Sequence, residues 1–322
     1  MNAQPEQGIA HVDRSRWLAA IGALLLLVGL GAAFVGPVEI YCFYLFSEGG
    51  RFHYEGFGFG SFMFGNIAVQ VIGYYLVAGI CIPLGYGHLR LRRWARPFTL
   101  VLLWCWLVTG VPLCLVILFM LFSAKDMSLA GAWIAIVLVA ASYLAFPALA
   151  IRFYGGRNVR RTLAARDRSG PYAVERLPLP VLVLCALYLF YLLSLHVLLL
   201  FGGFFPLFGT FASGLQGIVL IDAAILALAL LLWGTLRLRA WAWWGSLVYF
   251  TVMSVTWIWT LARATWAEIL AAMDFPPFEL DILSGMPFHG AHLAALVGLP
   301  LLVTLALIAR ARRHYAGWLP LL

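Results

Sequence analysis

Charged residues are scarce in this chain of 322 residues: they make up 11% of it, whereas hydrophobic residues make up 64%. A soluble domain carries about 25% charged residues. A chain so poor in charge cannot cover itself with a polar surface in water. The composition therefore excludes an ordinary soluble fold and indicates that lipid is the solvent.

The sequence also lacks the motifs of the common enzyme and nucleotide-binding classes. It contains no GxxxxGK[ST], no GxGxxG between a strand and a helix, no HExxH and no GxSxG. Its five cysteines form no CxxC pair and no cluster with histidine, so neither a zinc site nor a disulfide framework is predicted. We therefore expect no enzyme activity, no catalytic residues and no bound metal.

Long apolar runs are present instead, each near the 20 residues that a helix needs to cross a bilayer core. Because a spanning segment must satisfy its own backbone in lipid, each run should be helical. We predict an all-α, polytopic integral membrane protein. Its eight transmembrane helices should lie at about residues 17–45, 64–86, 98–123, 129–151, 178–202, 211–235, 243–265 and 289–309.

The basic residues predict the orientation of these spans. If the N-terminus is cytoplasmic, 18 of the 21 Lys and Arg residues fall in cytoplasmic segments, and only Arg51, Lys125 and Arg263 fall outside. This asymmetry matches the positive-inside rule. We therefore expect a protein of the cytoplasmic (inner) membrane with both termini in the cytoplasm.

Three short matches in the same order indicate that four spans are repeated. They pair YCFYLFS (41–47) with YLFYLLS (188–194), FGSF (59–62) with FGTF (208–211), and GHLRLRRW (87–94) with GTLRLRAW (234–241). Two four-span units would have the same orientation and be related by a pseudo-two-fold axis along the membrane normal. The alternative is convergence, because aromatic residues and arginines recur at membrane boundaries in any such protein.

The predicted organisation follows from this repeat. It comprises a cytoplasmic N-terminal segment (1–16), a first four-helix repeat (17–151), a basic cytoplasmic linker (152–177), a second four-helix repeat (178–309) and a basic cytoplasmic tail (310–322).

Asp222 is the most distinctive single residue, because it stands near the middle of the sixth predicted span. A carboxylate at that depth costs at least about 2.5–3.5 kcal/mol, so it should face the interior and have a partner. Asp222 is therefore a candidate proton or ion relay. The alternative is a protonated side chain that makes one hydrogen bond between helices.

Three histidines are candidates for binding a cofactor. His196 lies toward the outer end of the fifth span, and His289 and His292 lie at the outer start of the eighth. Two such histidines on different helices can ligate a haem, and one can ligate a chlorophyll. The sequence requires neither cofactor, since a membrane histidine is more often an interfacial hydrogen-bonding residue.

The basic boundary segments are candidates for contact with anionic headgroups or with partner proteins. The residues concerned are Arg90, Arg92, Arg93, Trp94, Arg96, Arg237, Arg239 and Trp241. Their arginines punctuate membrane spans and do not cluster on a polar domain, so nucleic acid is not an expected partner.

Three functions are consistent with these features. We favour a non-catalytic subunit or scaffold of a larger membrane complex, for example an energy-transducing one, whose partners are other membrane subunits. A small-solute or proton transporter or channel that uses Asp222 is the first alternative. A haem- or pigment-binding electron-transfer subunit that uses His196 and His292 is the second.

Overall fold

The computed structural model describes residues 12–47, 49–53, 58, 61–123, 128–169, 172–286 and 288–315. Most of the predicted N-terminal segment and the end of the predicted C-terminal tail therefore lie outside the described residues. The described part is almost entirely helical. Its one sheet is a two-stranded hairpin.

The α-helices of the described part follow one another along the chain with short connections. They are α1 (Ser15–Phe46), α2 (Phe62–Leu89), α3 (Ala95–Ser123), α4 (Leu129–Ala140), α5 (Phe146–Gly155), α6 (Arg157–Arg166), α7 (Leu179–Leu199), α8 (Gly214–Leu236), α9 (Ala240–Arg263), α10 (Trp266–Met273), α11 (Pro277–Ser284) and α12 (Gly290–Ala311). The hairpin strands, β1 (Phe205–Leu207) and β2 (Thr210–Ala212), are antiparallel and precede α8.

Eight helical segments in the described part are long and apolar enough to cross a bilayer: α1, α2, α3, α4–α5, α7, α8, α9 and α12. The prediction of an all-α chain with eight such helices is therefore confirmed. A π-helical turn at Ala141–Ala145 joins α4 and α5 into one span just before Pro147. At about 1.5 Å per residue, the 32 residues of α1 reach about 48 Å, so this helix is longer than the hydrocarbon core.

The helices α1 and α2 form a close pair because glycines remove side chains from their contact. The buried glycines of α1 are Gly22, Gly29 and Gly36, spaced seven residues apart on one face. A Cβ atom at Gly29 would lie 2.9 Å from the backbone nitrogen of Ile82 on α2. Small residues that let backbones approach closely are a common basis of helix association in membranes.

The second half has the larger buried core, formed by α7, α8, α9 and α12 around Tyr188, Phe250 and Leu228. The two halves meet mainly where α3 packs against α7 and α12. A two-fold relation would also pair α9 with α1 and with α4–α5. Those pairs are not among the principal contacts between the described elements, so the predicted two-fold axis stays a prediction.

The turns that connect α2 to α3 and α8 to α9 have the same backbone geometry. A leucine adopts a positive φ in each, 50° at Leu91 and 52° at Leu238. The N–H of the following arginine donates to a glycine carbonyl, at 2.7 Å in the first turn and 3.0 Å in the second. The ring of Trp94 or Trp241 lies close over that glycine, so a side chain there would collide with it.

The other two sequence matches lie in different local structures. FGTF supplies the hairpin turn and the first two residues of β2, whereas Ser61 and Phe62 of FGSF stand at the start of α2, where the Ser61 hydroxyl accepts a helix N-terminal hydrogen bond. Residues 59 and 60 lie outside the described part. YCFYLFS reaches the end of α1, whereas YLFYLLS ends five residues before the end of α7.

The segment predicted as a basic linker is folded against the bundle. The span α4–α5 runs on to Gly155, and α6 then buries Val159 and Leu163 against Leu18 and Leu100. The sequence alone did not predict this packing because the many arginines of the segment obscured the four-residue spacing of Val159 and Leu163. We call the end of the bundle that carries α6 and the two matched turns the arginine-rich end.

At the opposite end, the loop between α9 and α12 contains the short helices α10 and α11. Thr265 and Glu268 form a capping box at the start of α10, and α11 begins with Pro277. The Glu279 carboxylate is 5% exposed and accepts hydrogen bonds from the backbone N–H groups of Phe62 and Met63, at 2.6 and 3.1 Å. The loop of the second half therefore caps the N-terminus of α2 in the first half, where a negative charge is favourable.

Candidate functional site

The helix α8 has one buried and one exposed face, and Asp222 lies on the exposed one. Gly217, Ile221, Ala224, Leu228 and Leu231 form the buried stripe, which packs against α7 and α9. The opposite side of the helix exposes an apolar stripe, which we call the α8 stripe: Leu215, Val219, Leu226, Leu230 and Trp233, between 48% and 78% exposed.

Asp222 occupies the middle of the α8 stripe, three residues after Val219 and four before Leu226, and it too is exposed. The expectation that Asp222 faces the interior of this chain is therefore wrong. The buried positions 221 and 224 turn residue 222 outward, a consequence of the helical period. Within the described part of the chain, its carboxylate has no hydrogen-bond or ionic partner. The role of Asp222 as a relay remains a prediction.

The three candidate histidines do not converge on one space. His196 is exposed on α7, where its Nδ1 donates to the Leu192 carbonyl of its own helix at 2.7 Å. His289 and His292 lie together at the start of α12, with ring centroids 5.3 Å apart. The ring of His292 packs on Phe119 of α3, at a centroid distance of 3.9 Å.

These contacts provide no common ligand geometry for a porphyrin. His292 is 8% exposed, and its Nδ1 accepts the backbone N–H of His289 at 3.2 Å. Within the described part of the chain, His196 contacts neither His289 nor His292. Among the described residues, no group of three or more His, Cys, Asp or Glu side chains is arranged to hold a metal. Haem or pigment binding stays a prediction without structural support.

The basic candidates divide into two groups. Arg90, Arg237 and Arg239 are exposed at the two matched turns, and the guanidinium of Arg237 lies 4.6 Å from the Trp233 ring centroid. These residues are available to headgroups or partners. The side chains of Arg92, Arg93 and Arg96, in contrast, donate hydrogen bonds to other residues of this chain.

Asp167, which follows α6, organises the arginines of the first turn. Its carboxylate is 4% exposed and accepts from Arg92 Nη1 at 3.1 Å, from the backbone N–H of Arg93 at 2.9 Å and from that of Ser169 at 3.1 Å. The Tyr172 hydroxyl donates a further bond at 3.2 Å. We call this group the Asp167 clasp. Burial alone would raise the pKa of Asp167, but these hydrogen bonds outweigh it and hold the pKa well below its usual range.

At the arginine-rich end, the ends of the spans are joined by two comparable pairs. In the first half, Tyr154 at the end of α5 donates its hydroxyl to His88 Nε2 at 2.8 Å, while His88 Nδ1 donates to a carbonyl of α2. In the second half, the Tyr315 hydroxyl lies 3.5 Å from the Thr235 hydroxyl of α8. In both halves, the last residues of the fourth span therefore close over the end of the second span.

A cavity of about 490 Å³ lies between α3, α7, α9 and α12, and Leu113, Phe250 and Trp257 are among its mainly apolar lining residues. Tyr191 is one of its few polar residues, and its hydroxyl is bonded to Thr304 at 2.9 Å. Asp222 does not line this cavity. Asp222 and the apolar cavity are therefore separate features.

The polar groups that the sequence alone did not single out are Asp167 and Glu279. The arginine partners of Asp167 are 74 and 75 residues away, and the partners of Glu279 are more than 200 residues away. No local spacing signals such contacts. The sequence offered one indication: acidic residues are rare in this chain. An acid beside arginines or in an aromatic loop could therefore have been expected to have a partner.

The fold defines the class of protein as an α-helical integral membrane protein with eight candidate spans. The chain matches no protein-family model, and no curated protein or solved structure is significantly similar to it.

Proposed function

We propose that this protein is a non-catalytic subunit of a larger membrane assembly, and that it binds another chain through the α8 stripe. The observation that carries the proposal is the exposed Asp222 in the middle of an apolar helix face. In lipid, that side chain costs at least about 2.5–3.5 kcal/mol. A partner helix that offers a hydrogen-bond donor or a positive charge at the same depth removes this cost.

The spacing of the stripe supports a helix as the partner. Positions 215, 219, 222, 226, 230 and 233 follow the three- and four-residue steps of a helix-packing seam. A single polar residue within such an apolar seam fixes the register and the choice of partner. Asp222 therefore supplies specificity, and its apolar neighbours supply contact area.

The charge of Asp222 favours a different chain over a second copy of this one. Two copies that pack through α8 would bring two Asp222 carboxylates together. No Lys or Arg of this chain lies near the middle of a described span, so a second copy has no base to offer at that depth. The partner we propose is a membrane helix with Lys, Arg or His at mid-depth.

The finer topology belongs to the same proposal. We propose that the chain arose by duplication of a four-span unit and that the arginine-rich end is cytoplasmic. The closely similar geometry of the two arginine turns and the comparable tyrosine contacts at the ends of the fourth spans support the duplication. The concentration of arginines at one end supports the orientation. The cytoplasmic (inner) membrane remains the expected location.

The test measures the mass of the assembly isolated from native membranes in mild detergent. We expect wild-type protein to run as a complex heavier than a single chain. Asp222→Leu should release the partner, whereas Asp222→Asn should retain part of the binding because an amide still accepts a hydrogen bond. Loss of one desolvated charge pair should weaken the complex by roughly 2–5 kcal/mol.

Two controls make the result specific. Leu138→Ala alters an exposed apolar residue on α4 and should leave the complex intact. The purified Asp222→Leu chain should be at least as thermally stable as wild type, because Asp222 has no partner among the described residues. A wild-type mass equal to one chain, or to two copies of it, would contradict the proposal, as would an intact complex in Asp222→Leu.

A further inference from the structure

A second cavity, of about 620 Å³, lies at the arginine-rich end between the start of α3, α6 and the start of α7. Its polar side is lined by Arg93, Arg96 and Arg160, together with the single carboxylate of Glu175. Three guanidinium groups therefore share one cavity with one acid. Such an excess of positive charge favours the binding of an anion.

Only some of the hydrogen-bond donors of these three guanidinium groups are bonded to other residues of the protein. Arg93 Nη2 donates to the Ser169 carbonyl at 2.7 Å, but its buried Nε has no hydrogen bond and lies 3.8 Å from Glu175. Arg96 donates through Nε to the Tyr154 carbonyl at 2.8 Å, which leaves its two terminal nitrogens available. The guanidinium of Arg160, on α6, makes no hydrogen bond or ion pair with any described residue.

The other side of the cavity is apolar. Leu100 lies one turn inside α3, and Leu179 and Leu182 occupy the first turn of α7. These residues begin two membrane spans, so the wall continues toward the hydrocarbon region. The cavity thus combines phosphate-binding donors at the interface with an apolar surface directed into the membrane.

We infer that this cavity is a binding site for one anionic phospholipid. Its phosphate would be held by Arg93, Arg96 and Arg160, and the upper part of an acyl chain would lie on Leu100, Leu179 and Leu182. Basic cavities between membrane helices at the basic end are suited to such headgroups. This site is separate from the α8 stripe and does not depend on the proposed partner.

The test measures binding of phosphatidylglycerol to the detergent-purified full-length chain by native mass spectrometry. Phosphatidylcholine of the same acyl composition and inorganic phosphate are the comparison ligands. We expect phosphatidylglycerol to bind tightest with a stoichiometry of one. Arg160→Gln should weaken it roughly tenfold, the effect of losing one charge-assisted contact.

Arg157→Gln is the matched control, because Arg157 lies on the same helix, is exposed and does not line the cavity. It should leave binding unchanged. Equal weakening by the two substitutions would show that general basicity is responsible and would overturn the site. Equal binding of phosphatidylcholine, or binding of inorganic phosphate as tight as that of the lipid, would also overturn the proposed phospholipid specificity.

Discussion

At the residue scale, the Asp167 carboxylate is the centre of the arginine-rich end. Four donors converge on it from the turn before α3 and from the segment after α6. Charged groups that are buried are costly unless they are fully hydrogen-bonded, and Asp167 meets that condition. The single acid therefore holds the basic segment against the end of the first half.

Replacement of this carboxylate tests its role. We expect Asp167→Asn to lower the free energy of unfolding by about 2 kcal/mol, because an amide nitrogen cannot accept the bonds made by one carboxylate oxygen. The measurement is an unfolding titration in detergent. Asp13→Asn is the control, since the Asp13–Arg166 pair is solvent-exposed, and it should change stability very little. Similar losses for the two variants would refute the assignment.

The pH dependence of this difference has a defined sign. The pKa of Asp167 is lowered in the folded protein, so the clasp contributes its full stability above the unfolded pKa of about 3.9 and loses it progressively as the pH falls from there through the folded value. The stability gap between wild type and Asp167→Asn should stay constant from about pH 8 to pH 5. It should narrow only below about pH 4.

At this scale, the sequence alone predicted some features of single residues and not others. The sequence showed that Asp222 is an unusual carboxylate within an apolar run. Its outward direction, however, depends on which face of α8 packs against α7 and α9. His196, His289 and His292 were grouped because of their similar predicted depth. Depth alone does not determine which side of a helix a residue occupies, and the structure places His196 apart.

At the element scale, the α1–α2 pair depends on backbone proximity more than on side-chain interlocking. Gly22 and Gly85 face each other so closely that a Cβ on either would lie within 2.9 Å of the other helix's backbone. This geometry leaves the remaining faces of α1 exposed to lipid or to other chains. The exposed residues include Leu24, Leu27 and Phe34.

Two glycines of α1 provide a matched comparison. Gly29→Ala should destabilise the protein by about 1–3 kcal/mol, because the new methyl group would overlap the α2 backbone. Gly31→Ala should be neutral or stabilising by up to about 1 kcal/mol, since nothing lies within 4 Å of its Cβ position and alanine favours a helix. Thermal unfolding of the two variants in detergent is the measurement. Equal effects would contradict the close packing of the helices.

The elements themselves were largely predictable. The number of spans and their order follow from the apolar runs, because lipid forces each such run into a helix. The hairpin of β1 and β2 and the folded state of α6 were not predicted. Their stability comes from contacts with α9 and with the first half, respectively.

At the scale of the whole molecule, both ends of the bundle carry contacts that tie distant segments together. Glu279 joins the α10–α11 loop to α2 at one end, and the Asp167 clasp joins the segment after α6 to α3 at the other. The Glu279 contact thus links the two halves, whereas the Asp167 clasp fixes the segment that leads from the first half to the second. Because the spans have similar apolar compositions, such specific polar contacts help to fix how they are arranged.

The proposed orientation can be tested by labelling in intact cells. Single cysteines at Thr210 in the hairpin and Arg239 in the second turn, in a background whose five native cysteines are changed to alanine, report the two ends. A membrane-impermeant maleimide should label Thr210→Cys in intact cells and Arg239→Cys only after permeabilisation. The reverse pattern would place the arginine-rich end outside, and labelling of both positions in intact cells would refute eight crossings.

The sequence by itself determined the solvent, the helical class and the eight apolar spans, because these depend on composition and on the local requirement to satisfy the backbone in lipid. It also indicated a matched pair of arginine turns. Only the tertiary structure decided which face of α8 carries Asp222 outward, that Asp167 and Glu279 clamp opposite ends, and that Arg93, Arg96 and Arg160 share one cavity. Those features arise from contacts between residues far apart in the chain, and their direction is set by the packing of whole helices.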